Sequence, residues 1–176
     1  MKPAFTSRHL DVYAFAIAGG RLDGQMALTS LARVTAACAP GQDTSAVRWS
    51  ARAEARLGGK GEQQHWLHLD ADCSVPLICQ RCLDVVHTRL LVDRWFRFVP
   101  DEATALAQDD NCEEDLLAAD GEFDLETLIE DELVLELPHI ARHDVCPAQR
   151  GGAATGAGSV AEPVHPFAVL AGLRKH

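Results

Sequence analysis

Ala46-Val47-Arg48-Trp49-Ser50-Ala51-Arg52-Ala53-Glu54-Ala55-Arg56-Leu57 is the stretch whose reading decides the fold. Val47, Trp49, Ala51, Ala53, Ala55 and Leu57 alternate with Arg48, Ser50, Arg52, Glu54 and Arg56. A period of two marks a strand with one buried face and one solvated, here mostly basic, face. Gly58-Gly59-Lys60-Gly61 then turns the chain. In the next run Leu67, Leu69, Ala71, Cys73, Val75 and Leu77 alternate with His68, Asp70, Asp72 and Ser74. Two long alternating runs joined by a Gly-rich turn predict a hairpin, hence antiparallel sheet. Cys73 falls on the apolar parity and reads as a core thiol.

The second strand runs into Cys79-Gln80-Arg81-Cys82-Leu83, a Cys-x-x-Cys knuckle. Leu83 to Val99 is extended again, with Val86, Thr88, Leu90, Val92, Phe96 and Phe98 on one parity and Arg94 breaking it. The knuckle is thus expected at the tip joining two strands.

Working back toward the N-terminus, Gly and Asp residues between Gly19 and Gly24 mark turns around a short extended piece. Thr29 or Ser30 is a candidate cap for a helix with Leu31, Val34, Thr35 and Cys38 on its apolar side, closing before Pro40-Gly41. Working forward, Pro100 to Gly121 reads as a long acidic loop, in which Cys112 has no spacing partner. Asp124 is an N-cap candidate with Glu126 in the first turn, and Leu125, Leu128, Ile129 and Leu133 recur at helical spacing until Pro138.

The formal charge of −10 hides two regions. Residues 101–136 hold 15 acids and no Lys or Arg, leaving 11 of the 26 acids against all 16 basic residues elsewhere. Such a balance argues against broad, sequence-blind nucleic-acid binding, which needs clustered positive charge. Fifteen carboxylates without apolar enclosure read as a solvated face rather than an acid–base pair. The apolar run Val12 to Ala18 is too short for a membrane span, and nothing later approaches eighteen apolar residues. The expectation is a soluble, cytoplasmic protein with reduced thiols and no membrane association.

Cys79 and Cys82 have three chemistries open to them: a metal, a redox pair, or thiols packing a strand tip. His143 and Cys146 in the short loop from His139 to Pro147 complete a candidate zinc set of Cys79, Cys82, His143 and Cys146. The redox reading is weakened because the pair lies between strands, where no helix dipole lowers a thiol pKa. A candidate RNA-facing surface consists of Arg48, Arg52, Arg56 and Arg81, with Arg89 beside them; ordinary solvated strand positions are its alternative.

Residues 1–147 are expected to form a single domain carrying the knuckle. Residues 148–163, rich in Gly and Ala, read as a flexible linker. Residues 164–176 read as a short helical docking peptide with Phe167, Leu170 and Leu173 as its apolar stripe, folding back on the domain being the alternative.

Four pieces in this order resemble the YceD family, the large ribosomal RNA subunit accumulation proteins: Val75-Pro-Leu-Ile-Cys-Gln-Arg-Cys-Leu, Asp131-Glu-Leu-Val-Leu-Glu-Leu-Pro, His143 to Cys146, and Pro166-Phe-Ala-Val-Leu. Fainter likeness begins near Asp11. The resemblance implies a non-enzymatic role in synthesis, processing or stability of large-subunit (23S) rRNA, within ribosome biogenesis. It supplies no catalytic residues. Its match includes Cys79, Cys82, His143 and Cys146, whereas Cys38, Cys73 and Cys112 lie outside the pattern. The expected partners are ribosome-biogenesis or ribosomal proteins, with rRNA contacted directly or through them. The working hypothesis is an adaptor, and the competing ones are a direct rRNA-binding module using the basic sheet face and a zinc-knuckle or thiol-redox protein.

The architecture expected is α+β: an antiparallel, partly curled sheet of about five strands with two main helices packed on it, the sequence leaving open whether the sheet closes into a barrel.

Overall fold

The computed structural model describes residues 5–42, 45–59, 61–109 and 112–147. The expected linker and docking peptide, with Phe167, Leu170 and Leu173, lie outside the described residues.

The hairpin forms where the alternation places it. Strand β3 spans Ala46–Leu57 and β4 spans Gln63–Ile78, paired antiparallel with Ala51 opposite Leu69 and Ala53 opposite Leu67. Across the knuckle, β5 (Val85–Val99) pairs antiparallel with β4 over its whole length, from Ile78↔Val85 to His65↔Phe98. On the N-terminal side, β2 (Arg21–Ala27) pairs antiparallel with β3. One parity of these strands carries the core: Val47, Ala51, Leu67, Leu69, Val75, Leu90, Phe96 and Phe98 are all buried.

The fold is α+β, and its main sheet is mostly antiparallel and open, in the order β2-β3-β4-β5 with a fifth strand beyond β5. Strand β6 (Asp115–Ala118) adds to β5 in parallel, which corrects the reading of Pro100–Gly121 as a loop. A helix, α3 (Glu102–Asp109), fills the connection that a parallel neighbour requires. Asp101 starts it by accepting from the Thr104 backbone N–H at 2.7 Å. The helix buries no residue fully, so its sequence lacks the apolar stripe that would have announced it.

Among the described residues four helices form, where two main ones are expected. The first, α1 (Val12–Ile17), is capped by Asp11, whose side chain accepts from Ala14 N–H at 2.9 Å. It turns Val12, Phe15 and Ala16 into the core, an i, i+3, i+4 set. The second, α2 (Ala32–Ala37), follows a 3₁₀ turn at Leu28–Ser30. Neither Thr29 nor Ser30 caps it: Ser30 donates back to the Ala27 carbonyl, and Leu31 occupies the N-cap without a side-chain bond. The last, α4 (Leu125–Leu135), is capped by Asp124, which accepts from the Glu126 and Thr127 amides. Its buried Leu125, Leu128, Ile129 and Leu133 join the same core as the inner faces of β3, β4 and β5.

A two-residue ladder between β1 (Leu10–Asp11) and β7 (Glu122–Phe123) ties the N-terminal segment to the start of α4. Arg8 pairs with Glu126 there, and the Leu125 amide donates to the Ser7 carbonyl.

Candidate functional site

The knuckle closes on itself through its backbone. Leu83 N–H donates to the Cys79 carbonyl and Cys79 N–H to the Asp84 carbonyl, both at 2.9 Å. Leu83 takes φ 64°, the left-handed region that a reversal this tight demands and that a leucine enters at a cost. A further bond, Gln80 N–H to the Ala141 carbonyl at 2.9 Å, draws the segment after α4 alongside the knuckle. This backbone tie joins residues more than sixty positions apart.

The result is a compact four-ligand cluster. Cys79 Sγ lies 3.7 Å from Cys146 Sγ, and Cys82 Sγ lies 3.4 Å from His143 Nδ1. One ligand atom from each of Cys79, Cys82, His143 and Cys146 falls within 4.8 Å of all the others. All six cysteines are free thiols, and 3.7 Å is well beyond the roughly 2.05 Å of a disulfide. A tetrahedral zinc with Zn–S of about 2.3 Å and Zn–N of about 2.0 Å sets sulfurs about 3.8 Å apart, and sulfur from nitrogen about 3.5 Å. The Cys79–Cys146 and Cys82–His143 separations match one sulfur–sulfur and one sulfur–nitrogen edge of that tetrahedron.

The surroundings of the ligands fit as well. His143 Nε2 sits 3.1 Å from the Val85 carbonyl, an acceptor only, so the ring proton belongs on Nε2 and Nδ1 turns its lone pair to the cluster. Burial raises the Cys79 thiol, but the backbone amides of Cys82, Arg81 and His143 outweigh it and hold the group at about 5. The Asp84 amide favours the Cys82 thiolate, yet burial and the adjoining Cys79 and Cys146 sulfurs push that thiol up to about 11. Sulfurs packed this closely ionise together only around a cation.

Arg81 belongs to this cluster. Its Nε donates to Cys146 Sγ at 2.9 Å and its Nη2 to the His143 carbonyl at 3.1 Å. Were a divalent ion held there by three thiolates and a neutral imidazole, one negative charge would be left over, and this guanidinium is placed to offset it. The other candidate RNA-facing arginines stand on the outward parity of β3. Arg48 donates to Asp72 at 2.7 Å, and Arg89 grips the same carboxylate through two bonds of 2.9 and 3.1 Å. Arg56 pairs with Glu54. Arg52 forms no ion pair among the described residues.

Two residues of this face escaped the sequence reading, Trp66 and Trp95. The Arg56 guanidinium lies 4.6 Å from the Trp66 ring centroid and 4.2 Å from that of Trp95, with Arg52 5.3 Å from the latter. The signal was available: both indoles occupy the polar parity of their strands, where a large aromatic has no core to fill.

Cys73 is buried, and its thiol is raised to about 11 chiefly by that burial. Cys38 is half-buried and its Sγ contacts the Val34 carbonyl. Cys112 contacts the Asp109 and Glu114 carbonyls. None of the three approaches the cluster. No helix among the described residues is long and apolar enough to cross a membrane.

A family model described as large ribosomal RNA subunit accumulation protein YceD matches residues 67–174. The matched span opens inside β4 and takes in the knuckle, β5, the acidic stretch, α4 and both His143 and Cys146. No curated protein and no solved structure matches the chain. With more than half of its length inside that match, the chain belongs to the YceD family.

Proposed function

We propose that the protein is a non-catalytic accessory factor that supports the synthesis, processing or stability of large-subunit (23S) rRNA. It acts in the cytoplasm, mainly through ribosomal or assembly proteins. The observation that carries this reading is the family match over residues 67–174, whose description names large-subunit rRNA accumulation.

The charge distribution supports the choice of protein partners. Residues 101–136 bring 15 acids and no Lys or Arg, and the arginines at 48, 56 and 89 are already held by carboxylates. A surface of that kind repels phosphate and suits the basic proteins that coat rRNA. In this reading the zinc-held knuckle stiffens one end of the sheet, and residues 164–176 dock a partner through Phe167, Leu170 and Leu173.

The test is the ratio of large- to small-subunit rRNA in cells depleted of the protein. A depressed ratio, restored by the wild-type gene, is expected; an unchanged ratio refutes the assignment. Removal of residues 164–176 is expected to lower recovery of partner proteins. A second reading, direct rRNA contact, draws support from the two tryptophans stacked with arginines on the outer sheet face.

A further inference from the structure

The outer face of β2, β3, β4 and β5 combines two features that the core does not explain. The first is aromatic. Trp66 and Trp95 are diagonal neighbours on β4 and β5, 6.5 Å apart and edge to face. Both are only partly buried. Arg56 lies over both rings and Arg52 over Trp95. Apolar rings left half in water on an open sheet, layered with planar cations, offer flat surfaces of the size of a nucleobase.

The second feature is an uncompensated charge. Arg21 of β2 stands directly opposite Arg52 of β3 in the ladder. Both are exposed, and neither pairs with a carboxylate among the described residues. Like charges directly opposite across a sheet destabilise it unless an anion lies between them. The other cations of the face contrast with this pair: Arg48 and Arg89 share Asp72, and Arg97 is buried against Glu114 and Gln108. Among the described residues of this face, the cations without a carboxylate partner stand beside the aromatic stack.

We infer that Trp66, Trp95, Arg52 and Arg56 form a stacking platform for unpaired bases of single-stranded RNA, with Arg21 and Arg52 holding the phosphates. The inference rests on the second reading above, direct RNA contact, and gives it a site. Single strands are favoured over duplex because only unpaired bases offer free faces to indole and guanidinium planes. Beyond Trp95, His68 is held between Asp70 and Asp93, at 3.1 and 2.7 Å. Those carboxylates repel phosphate and accept from base amino groups, so the backbone is confined to the Arg21–Arg52 side. With two free cations the affinity is modest and its salt dependence shallow.

The test titrates single-stranded RNA of about ten nucleotides into the full chain, read by tryptophan fluorescence and by anisotropy. Quenching is expected, with duplex RNA and polyglutamate binding at least tenfold more weakly. Trp95→Leu is expected to weaken binding about tenfold. The Arg21→Ala/Arg52→Ala pair, which leaves the aromatic packing largely in place, is expected to weaken binding and to flatten its salt dependence. Three results overturn the platform: no binding of the single strand, equal binding by both variants, or polyglutamate binding as tightly as RNA. If any of these accompanies a depressed rRNA ratio in depleted cells, the platform fails while the accessory role stands. An unchanged ratio with intact, variant-sensitive RNA binding refutes the role and leaves the platform in place.

Discussion

Arg94 of β5 donates from Nη1 to Glu132 Oε2 of α4 at 3.0 Å, although the Glu132 side chain is only 7% exposed. Arg94 shares the parity of Val92, Phe96 and Phe98, and its second nitrogen reaches Asp115 of β6 at 3.0 Å. One guanidinium thus joins the sheet, the helix packed on it and the parallel edge strand. Arg94→Ala leaves a buried carboxylate without its partner and is expected to cost about 3 kcal/mol in urea denaturation. The Arg94→Leu/Glu132→Leu pair is expected to cost much less, because no buried charge is then stranded.

The cysteine cluster is expected to hold one zinc ion per chain. Cys146→Ser should abolish that stoichiometry in metal analysis and lower the Tm by roughly 10 °C. Cys112→Ser, away from the cluster, should change neither. Zinc retained in full by the Cys146 variant would remove the site.

Arg81→Ala separates the two roles offered for this residue. If the guanidinium balances the charge of the metal site, the variant should release zinc to a chelator tenfold faster or more. Single-stranded RNA affinity should then stay unchanged. The opposite pattern would return Arg81 to the RNA-facing set.

Asp72, gripped by Arg89 and Arg48, has its carboxyl lowered from the ordinary 3.8 to about 2, with the Arg89 bond as the main cause. A group lowered on folding adds stability above its unfolded value, and that stability is lost as pH falls through the folded value. The contribution is therefore full above about pH 4 and disappears toward pH 2. Because both arginines are largely in water, it amounts to about 1 kcal/mol rather than the full linkage value. Asp72→Asn should lose this amount at neutral pH and flatten the stability profile between pH 4 and pH 2.

Gly20 is closed to any side chain. A Cβ there would come within 2.0 Å of the Phe15 ring, which is fully buried and packed edge to face on Phe5. Gly20→Ala should cost about 2–3 kcal/mol by displacing that ring. At Gly59 no atom lies within 4 Å of the added carbon. Gly59→Ala should be close to neutral by the same denaturation assay.

The sheet was legible because a strand with one buried face writes its parity into the sequence. Residues 46–57 and 67–77 do so without interruption, and Asp124 with its apolar i, i+3, i+4 successors did the same for α4. Helix α1 is equally legible in principle, from Asp11 and the spacing of Val12, Phe15 and Ala16, a short period within a run whose apolar character is its more obvious feature. Helix α3 and strand β6 were not legible. The helix buries no residue fully, and β6 is four residues long at an edge, so neither had to separate apolar from polar positions.

The sequence by itself determined the long strands β3, β4 and β5, their antiparallel pairing, the knuckle at a strand tip and the candidate ligands at 79, 82, 143 and 146. These depend on local period and on residue type, which a linear text retains. Only the tertiary structure decided that the sheet stays open with a parallel edge, that Arg48 and Arg89 share one carboxylate, and that Arg81 turns to Cys146. It also decided that Trp66, Trp95, Arg52 and Arg56 meet on one face. Each of these depends on which strand lies beside which and in what register. Distances across a sheet are set by packing over many residues, and no spacing along the chain encodes them.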